Sequence, residues 1–317
     1  MTTTPALGQL IVAIVTPMRA DGEVDWPGLE RLVGDCLAQG ADGFVTTATT
    51  GESATLSDAE KIKVARAVKA VTGSAANVIV GGASNVTAHA VEFVKEAERA
   101  GGDGVLVVTP YYVKPTQSGL LAHFRTVADA VDLPVMLYDI PGRTGRPIAA
   151  DTLIAASQHP NIVAVKDAKG DFAEVARILR LTGLQYYAGD DAHVLPEMAL
   201  GGVGVVSVTA NIAAAAYRKL IDAVNANDLD TARVYNERLE PLVRATMTHV
   251  PGTVATKYIL QGLGRIGSAQ VRLPLVGPTE SEIAQIEADI ADVADVPGVE
   301  FTDFRPDRAA AVEGALL

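Results

Sequence analysis

Along most of the chain, short apolar runs rich in β-branched residues alternate with longer segments whose apolar positions recur about every 3.6 residues. QLIVAIVTP, GFVTTA, NVIVGG, GVLVVTP, PVMLYD, NIVAVKD, LQYYAGD and GVVSV read as strands, separated by helical patterns such as DWPGLERLVGDCLAQG and NVTAHAVEFVKEAERAG. SDAE, Ser57 to Glu60, predicts a capping box ahead of KIKVARAVKAV: the serine oxygen accepts a backbone N–H and the glutamate returns the bond. Each strand is largely apolar, as expected where a parallel sheet is covered on both faces. About eight β-α units over roughly 225 residues fit an α/β fold of the (β/α)8, or TIM barrel, class, which typically takes about 250 residues. A doubly wound sheet is the rival, but it usually stops near about six strands. After the eighth unit the pattern is helical only: DLDTARVYNERLEPLVRATM, PGTVATKYILQGLG and TESEIAQIEADIADV. We therefore expect a catalytic barrel over residues 1–225 and a C-terminal helical extension with a tail over 226–317, packed on the barrel. Residues 299–317 show no clear period.

Met198 to Tyr217 carries no charge and is about as long as a membrane-spanning helix. Its glycines and the break in its pattern favour a helix end, a short strand and a new helix. Cys36, the only cysteine, shares a helical face with Trp26, Leu29, Leu32, Val33 and Leu37, which makes it a core residue rather than a reactive thiol. The chain has 317 residues, 49% hydrophobic and 20% charged, with no Pro/Ser-rich linker, and so suits one large core. Its net charge of −12 argues against nucleic acid or an anionic membrane as partner, since both select Lys/Arg clusters. MTTTPALGQ has no cationic segment before an apolar run, so no secretory signal is read there and a cytoplasmic protein is expected.

Sites on such barrels lie where strands hand over to the following loops. The polar and special residues at those points are Thr16, Thr49, Thr50, Glu52, Tyr111, Tyr112, Tyr138, Arg143, Lys166, Gly189 and Asp190. Lys166 ends an apolar strand, where a charge is costly unless paired or chemically used. An amine withdrawn from water is a nucleophile able to condense with a carbonyl as a Schiff base; Asp167 and Lys169 leave a plain ion-pair reading open. Tyr138 either packs and donates one hydrogen bond or shuttles protons with help from a relay. Thr49 and Thr50 either cap a helix or hold a carboxylate, with Gly51 permitting close approach. Arg143, in IPGRTG, is a solvated loop residue or a two-pronged grip on a carboxylate. Tyr111 and Tyr112 read first as core or interface aromatics.

Other motif matches carry nothing. GLGRIG, residues 262–267, fits G-x-G-x-x-G but follows a helical pattern, so the strand–turn–helix context of a dinucleotide site is missing. His89, His123, His159, His193 and His249 have no metal-ligand spacing. Neither a metal nor a cofactor is expected.

With ATTGES, TPYYVKP, LYDIPGRTG, VAVKDAKGD, YAGDD and GVVSVTAN in this order, the sequence resembles the dihydrodipicolinate synthase/N-acetylneuraminate lyase family over residues 8–295. The resemblance implies a pyruvate-dependent class I aldolase on a (β/α)8 barrel with extra C-terminal helices. Arg143 points to the branch that condenses pyruvate with L-aspartate 4-semialdehyde in lysine and diaminopimelate biosynthesis. The alternative is a sister lyase acting on another 2-keto acid, such as N-acetylneuraminate or a keto-deoxy sugar acid. The family's pattern implies that Lys166 forms the imine, Tyr138 moves protons, and Thr49 relays them to Tyr112, which reaches into a neighbouring subunit's site. Thr50 would bind the pyruvate carboxylate, Arg143 that of the semialdehyde, and Gly189 and Val206 would line the pocket. A homo-oligomer is implied, a tetramer built from dimers. A keto-acid sensor without catalysis would be expected to lose part of the Thr49–Tyr138–Tyr112 set, and all three are present.

Two departures from the pattern carry expectations. Ala48 stands where glycine is common and would be strained if that position takes positive φ. Asp58, Lys61 and His89 stand where lysine-inhibited bacterial members carry two histidines and a glutamate, although Ser53, Asn85 and Tyr111 are kept. Weak or absent inhibition by L-lysine is expected.

Overall fold

The computed structural model describes residues 6–82 and 84–308. Eight strands, β1 (Leu10–Ala13), β2 (Gly43–Thr46), β3 (Asn77–Val80), β4 (Gly104–Val108), β5 (Val135–Asp139), β6 (Ile162–Asp167), β7 (Gln185–Ala188) and β8 (Gly204–Ser207), pair in chain order. All pairs are parallel, and β8 closes on β1 through Ile11 opposite Val206. This is a (β/α)8 TIM barrel.

Alternation along each strand sorts side chains into two apolar populations. Val12, Phe44, Val78, Val107, Leu137 and Val165 face outward and pack under the surrounding helices. Ile11, Val45, Ile79, Leu106, Met136, Ala164 and Val206 fill the interior, with Tyr138 in the same cluster. Leu7, fully buried, plugs the end where the strands begin, and the Tyr187 hydroxyl donates there to the Gly8 carbonyl at 2.9 Å. The barrel interior is thus a packed core.

The covering helices are α1 (Trp26–Ala38), α2 (Asp58–Thr72), α3 (Thr87–Arg99), α4 (Gln117–Ala128), α5 (Pro141–Thr144), α6 (Ala150–Ala156), α7 (Phe172–Leu181), α8 (Val194–Ala199) and α9 (Ala210–Asn225). The expected box opens α2, with Ser57 and Glu60 each bonding the other's backbone N–H. Cys36 is buried on α1, and desolvation pushes its thiol up to about 12. The uncharged stretch from Met198 divides into the end of α8, strand β8 and helix α9, which is kinked at Ala213. No helix among the described residues is long and apolar enough to cross a membrane.

Three further helices follow: α10 (Leu229–Met247), α11 (Gly252–Gly262) and α12 (Glu280–Ala291). The α10 helix lies along α9, and α11 turns back toward the rim of the barrel, where Thr253 donates to the Thr49 carbonyl. Beyond α12, Phe304 meets Tyr258 of α11 edge to face and covers Gly262, where any Cβ would collide with the ring. Residues 309–317 of the expected tail, and residues 1–5 at the other end, lie outside the described residues.

Candidate active site

Strands β5 and β6 form one wall of the open end. Tyr138 and Lys166 are register partners, and both point inward by the alternation that sends Asp139 and Asp167 outward. Lys166 is only 3% exposed, and its Nζ stands 4.3 Å from the centre of the Tyr138 ring, close enough for the cation to be steadied by the π face. Among the described residues Lys166 has no carboxylate partner. Of the neighbours that kept an ion-pair reading open, Lys169 is paired elsewhere and Asp167 is held through one oxygen, its buried Oδ2 having no hydrogen-bond partner among the described residues. The Lys169 ammonium donates to Glu174 at 2.6 Å and lies 3.5 Å from Asp139, while Asp167 Oδ1 accepts the N–H groups of Lys169 and Gly170. Gly189 belongs to this wall for a steric reason: a Cβ there would stand 2.8 Å from Lys166 Cγ and 2.7 Å from the Asp167 carbonyl. Val206, on β8, completes the lining from beside β7.

Behind the wall lies a set of buried acids that the sequence reading did not single out. Burial lifts the Asp139 carboxyl to about 6, against the pull of Lys169. Glu197 of α8 is fully buried, neither oxygen has a partner among the described residues, and desolvation reinforced by Asp167 and Asp190 raises it to about 8. It is therefore a neutral acid at pH 7. Asp191, raised by burial, accepts from the Ser207 hydroxyl and from Val208 and Thr209 N–H, and so shapes the turn after β8. Asp190, named among the rim residues, caps the short turn of residues 191–193 through Ala192 N–H.

The facing rim is built by the turn after β2. Thr49 is exposed and Thr50 buried, and neither side chain has a hydrogen-bond partner among the described residues. Ala48 does not take positive φ, so the strain expected there does not arise. It falls instead on Thr47, at φ 46°, and Glu52, at φ 60°. The left-handed region is unusual for a β-branched residue such as Thr47, whose hydroxyl is tied to the Gly81 carbonyl at 2.9 Å. Gly51 is required, because a Cβ would sit 2.9 Å from Thr47 Cα. Thr16 donates to the Gly51 carbonyl at 2.8 Å. Glu52, read as a rim residue, has its carboxylate taken by Lys257 of α11, and both side chains are fully buried. Nothing in the local pattern marked that pairing; a lysine within apolar TVATKYIL was its one trace.

Arg143 lies on α5, exposed, with no partner for its guanidinium among the described residues. Arg146 instead holds the preceding loop by donating to the Pro115 carbonyl at 2.8 Å. In that loop Tyr112 is 89% exposed and stands at φ 69°, at the apex of a three-residue turn closed by Val113 N–H on the Tyr111 carbonyl at 2.8 Å. This is the strained hand of the γ-turn, costing about 1–3 kcal/mol. Tyr112 is not a core aromatic of this chain. Among the described residues, no group of three or more His, Cys, Asp and Glu side chains could hold a metal ion.

Known proteins match nearly the whole chain. The model of the dihydrodipicolinate synthetase family matches residues 6–293. The chain belongs to this family. Within the dihydrodipicolinate synthetase family, it is 47% identical over 284 residues to the 4-hydroxy-tetrahydrodipicolinate synthase of Kineococcus radiotolerans, covering 90% of this chain and 92% of that one. The synthase of Mycobacterium leprae is 46% identical, with 90% and 94% covered. Among solved structures, dihydrodipicolinate synthase from Acinetobacter baumannii complexed with pyruvate superposes with a TM-score of 0.87 at 38% identity, covering 90% of this chain and 99% of that one. The enzyme from Cyanidioschyzon merolae with lysine bound gives 0.88 at 39% identity, with 91% and 98% covered.

Proposed function

We propose that this chain is a 4-hydroxy-tetrahydrodipicolinate synthase, condensing pyruvate with L-aspartate 4-semialdehyde for lysine and diaminopimelate biosynthesis. The observation that carries the reading is the buried, counter-ion-free amine of Lys166 against Tyr138, in a chain whose curated relatives bear that enzyme's name. A buried ammonium with no carboxylate partner is unfavourable at rest. Conversion to an imine gives that position a use: once the ammonium has given a proton to solvent, the Nζ lone pair attacks the pyruvate carbonyl carbon and water leaves. The protonated imine is then the electron sink that lets a methyl proton depart, giving an enamine whose carbon attacks the semialdehyde's aldehyde. The semialdehyde's own amine displaces Lys166 and closes the ring.

Tyr138, on the adjacent strand, is the group that takes and returns protons at the imine, with Thr49 passing them to Tyr112. Tyr112 projects away from its own barrel, so the relay is completed by a second copy of the chain, and we assign the protein to homo-oligomers, tetramers built from dimers, in the cytoplasm. Thr50 N–H and hydroxyl hold the pyruvate carboxylate, Gly189 and Val206 line the pocket, and Arg143 grips the carboxylate of the semialdehyde. The strain stored at Tyr112 supports a functional use of that side chain.

The test is covalent trapping. Incubation with pyruvate, borohydride reduction and peptide mass spectrometry should place the adduct on Lys166; no adduct there overturns the reading. Turnover with aspartate semialdehyde, coupled to the next reductase, should exceed cleavage of N-acetylneuraminate or keto-deoxy sugar acids, and the reverse would assign the chain to a sister lyase. Arg143→Ala should trap pyruvate normally while raising KM for the semialdehyde about 10-fold or more, the worth of a charge-assisted bond.

A further inference from the structure

The turn that carries Thr49 and Thr50 is held from two sides. From the barrel, Thr16 donates to the Gly51 carbonyl. From the C-terminal extension come four more bonds. Thr253 Oγ1 donates to the Thr49 carbonyl at 3.3 Å, Lys257 Nζ to Glu52 Oε1, Arg272 N–H to Glu52 Oε2 at 3.0 Å, and Arg272 Nη1 to the Thr55 carbonyl at 3.0 Å. Lys257 also donates to the Gln270 carbonyl at 2.8 Å, which fixes the segment that presents Arg272. The ion pair is fully buried at both ends, and Glu52 sits in the left-handed region at φ 60°.

A buried ion pair is poor evidence for stability, since well-packed apolar side chains of the same volume do as well. Its advantage is direction: two charged groups with fixed hydrogen-bond geometry define one position of the backbone between them, where apolar packing tolerates slippage. The backbone so defined is two residues from Thr50 and three from Thr49. We propose that Glu52 and Lys257 are positioning residues of the reaction, by which the C-terminal extension sets the placement of the threonine hydroxyls at the barrel rim. The proposal rests on the roles given to Thr49 and Thr50 above. Neither Glu52 nor Lys257 touches substrate; they act through the turn.

The experiment separates imine formation from proton movement in the full-length protein. Pyruvate is supplied in D2O without the semialdehyde. The trapped fraction at Lys166 is read by mass spectrometry and the exchange of its methyl protons by NMR. Thr49→Val is the reference: it should slow exchange at an undiminished trapped fraction, and if it does not, the relay reading itself fails. Given that reference, Glu52→Gln should leave trapping within about twofold and slow exchange about 10- to 100-fold, as a misplacement of about 1 Å does. Lys257→Met should behave like Glu52→Gln, and the two changes combined should cost no more than either alone. Normal exchange in a folded Glu52→Gln protein overturns the proposal while leaving the relay intact. Should Glu52→Gln and Lys257→Met both fail to fold, the isosteric Thr253→Val decides, with an expected slowing of about threefold. Unchanged exchange in that variant also overturns the proposal.

Discussion

The two sides of the barrel mouth are built by different means. Lys166 and Tyr138 stand on neighbouring strands, positioned by the ladder between β5 and β6 and by side-chain alternation. Thr49 and Thr50 stand on a turn secured by residues 204 to 220 positions further along the chain. Tyr112 is secured by neither, since it projects 89% exposed from a strained loop. The atom proposed to form the covalent bond thus sits on a paired strand, where the ladder leaves the backbone little freedom. Of the groups proposed to move protons, Tyr138 shares that ladder, while Thr49 and Tyr112 sit on segments whose placement depends on tertiary or quaternary contacts. Bond making and the Thr49–Tyr112 part of the proposed relay are separable in such a site, and each can be broken alone.

The sharpest break is between chains. Lys166→Ala should lower turnover by about 10^3-fold or more, and Tyr112→Phe by about 10^2-fold, in line with removal of a nucleophile and of a general acid–base. If Tyr112 serves the neighbouring site, co-expression of the two variants should generate hybrids in which one site of each pair is intact. Random pairing then restores about a quarter of wild-type turnover. Turnover no greater than the sum of the two variants would place the whole relay within one chain and remove the reason for an obligate pair.

What could be read from the residues divides along the same line. Lys166 and Tyr138 were legible because alternation and strand ends are local signals, and the barrel followed from eight repeats of one pattern. Alternation also implied that Asp139 and Asp167 face outward, although the reading did not draw on it. The Glu52–Lys257 pair was not legible, because periodicity reports which face of a helix is buried and says nothing about a partner 205 residues away. Ala48 shows a further limit. A substitution at a glycine position suggested strain there, but the turn puts its left-handed residues at Thr47 and Glu52. Tyr112 has no hydrogen-bond or ring partner among the described residues and is 89% exposed, so its environment is absent from any single-copy pattern.

A smaller effect tests whether the lysine wall is as insensitive to its surroundings as strand pairing implies. Glu197, buried behind β7 without partners among the described residues, titrates at about 8 rather than near the usual glutamate value of about 4.3. Its folded value is raised, so the folded state holds the proton more tightly, and the stability this contributes is present at low pH and lost as pH rises toward and through about 8. Full linkage would cost about 1.4 kcal/mol per pH unit over that window. Allowing for relaxation around the charge, we expect a loss on the order of 2 kcal/mol between about pH 5 and pH 8. Glu197→Gln should abolish that slope in denaturant titrations, with kcat changed less than about twofold. An unchanged slope would show that the acid is not the group lost, and a large fall in kcat would show that the wall is less self-sufficient than its register suggests.

The smallest expected effect concerns an effector on the threonine side. Ser53, whose N–H bonds the Ala48 carbonyl, links that turn to the outer surface, where Asn85 donates to the Tyr111 carbonyl at 3.3 Å. An amino acid bound there would therefore act on the turn and leave the lysine wall alone. Its ammonium groups would need acceptors, and Asp58 is already engaged: it meets Lys61 at 3.0 Å through one oxygen and His89 at 2.5 Å through the other. Lys61 also adds a positive charge that repels an incoming ammonium, and this charge is only partly screened at its buried position. L-Lysine should accordingly bind no more tightly than about 1 mM in calorimetry and leave turnover unchanged at lower concentrations. Micromolar binding with partial inhibition would mean that the Asp58–Lys61–His89 cluster opens to admit the ligand, and the threonine side would then be the regulated half of the site.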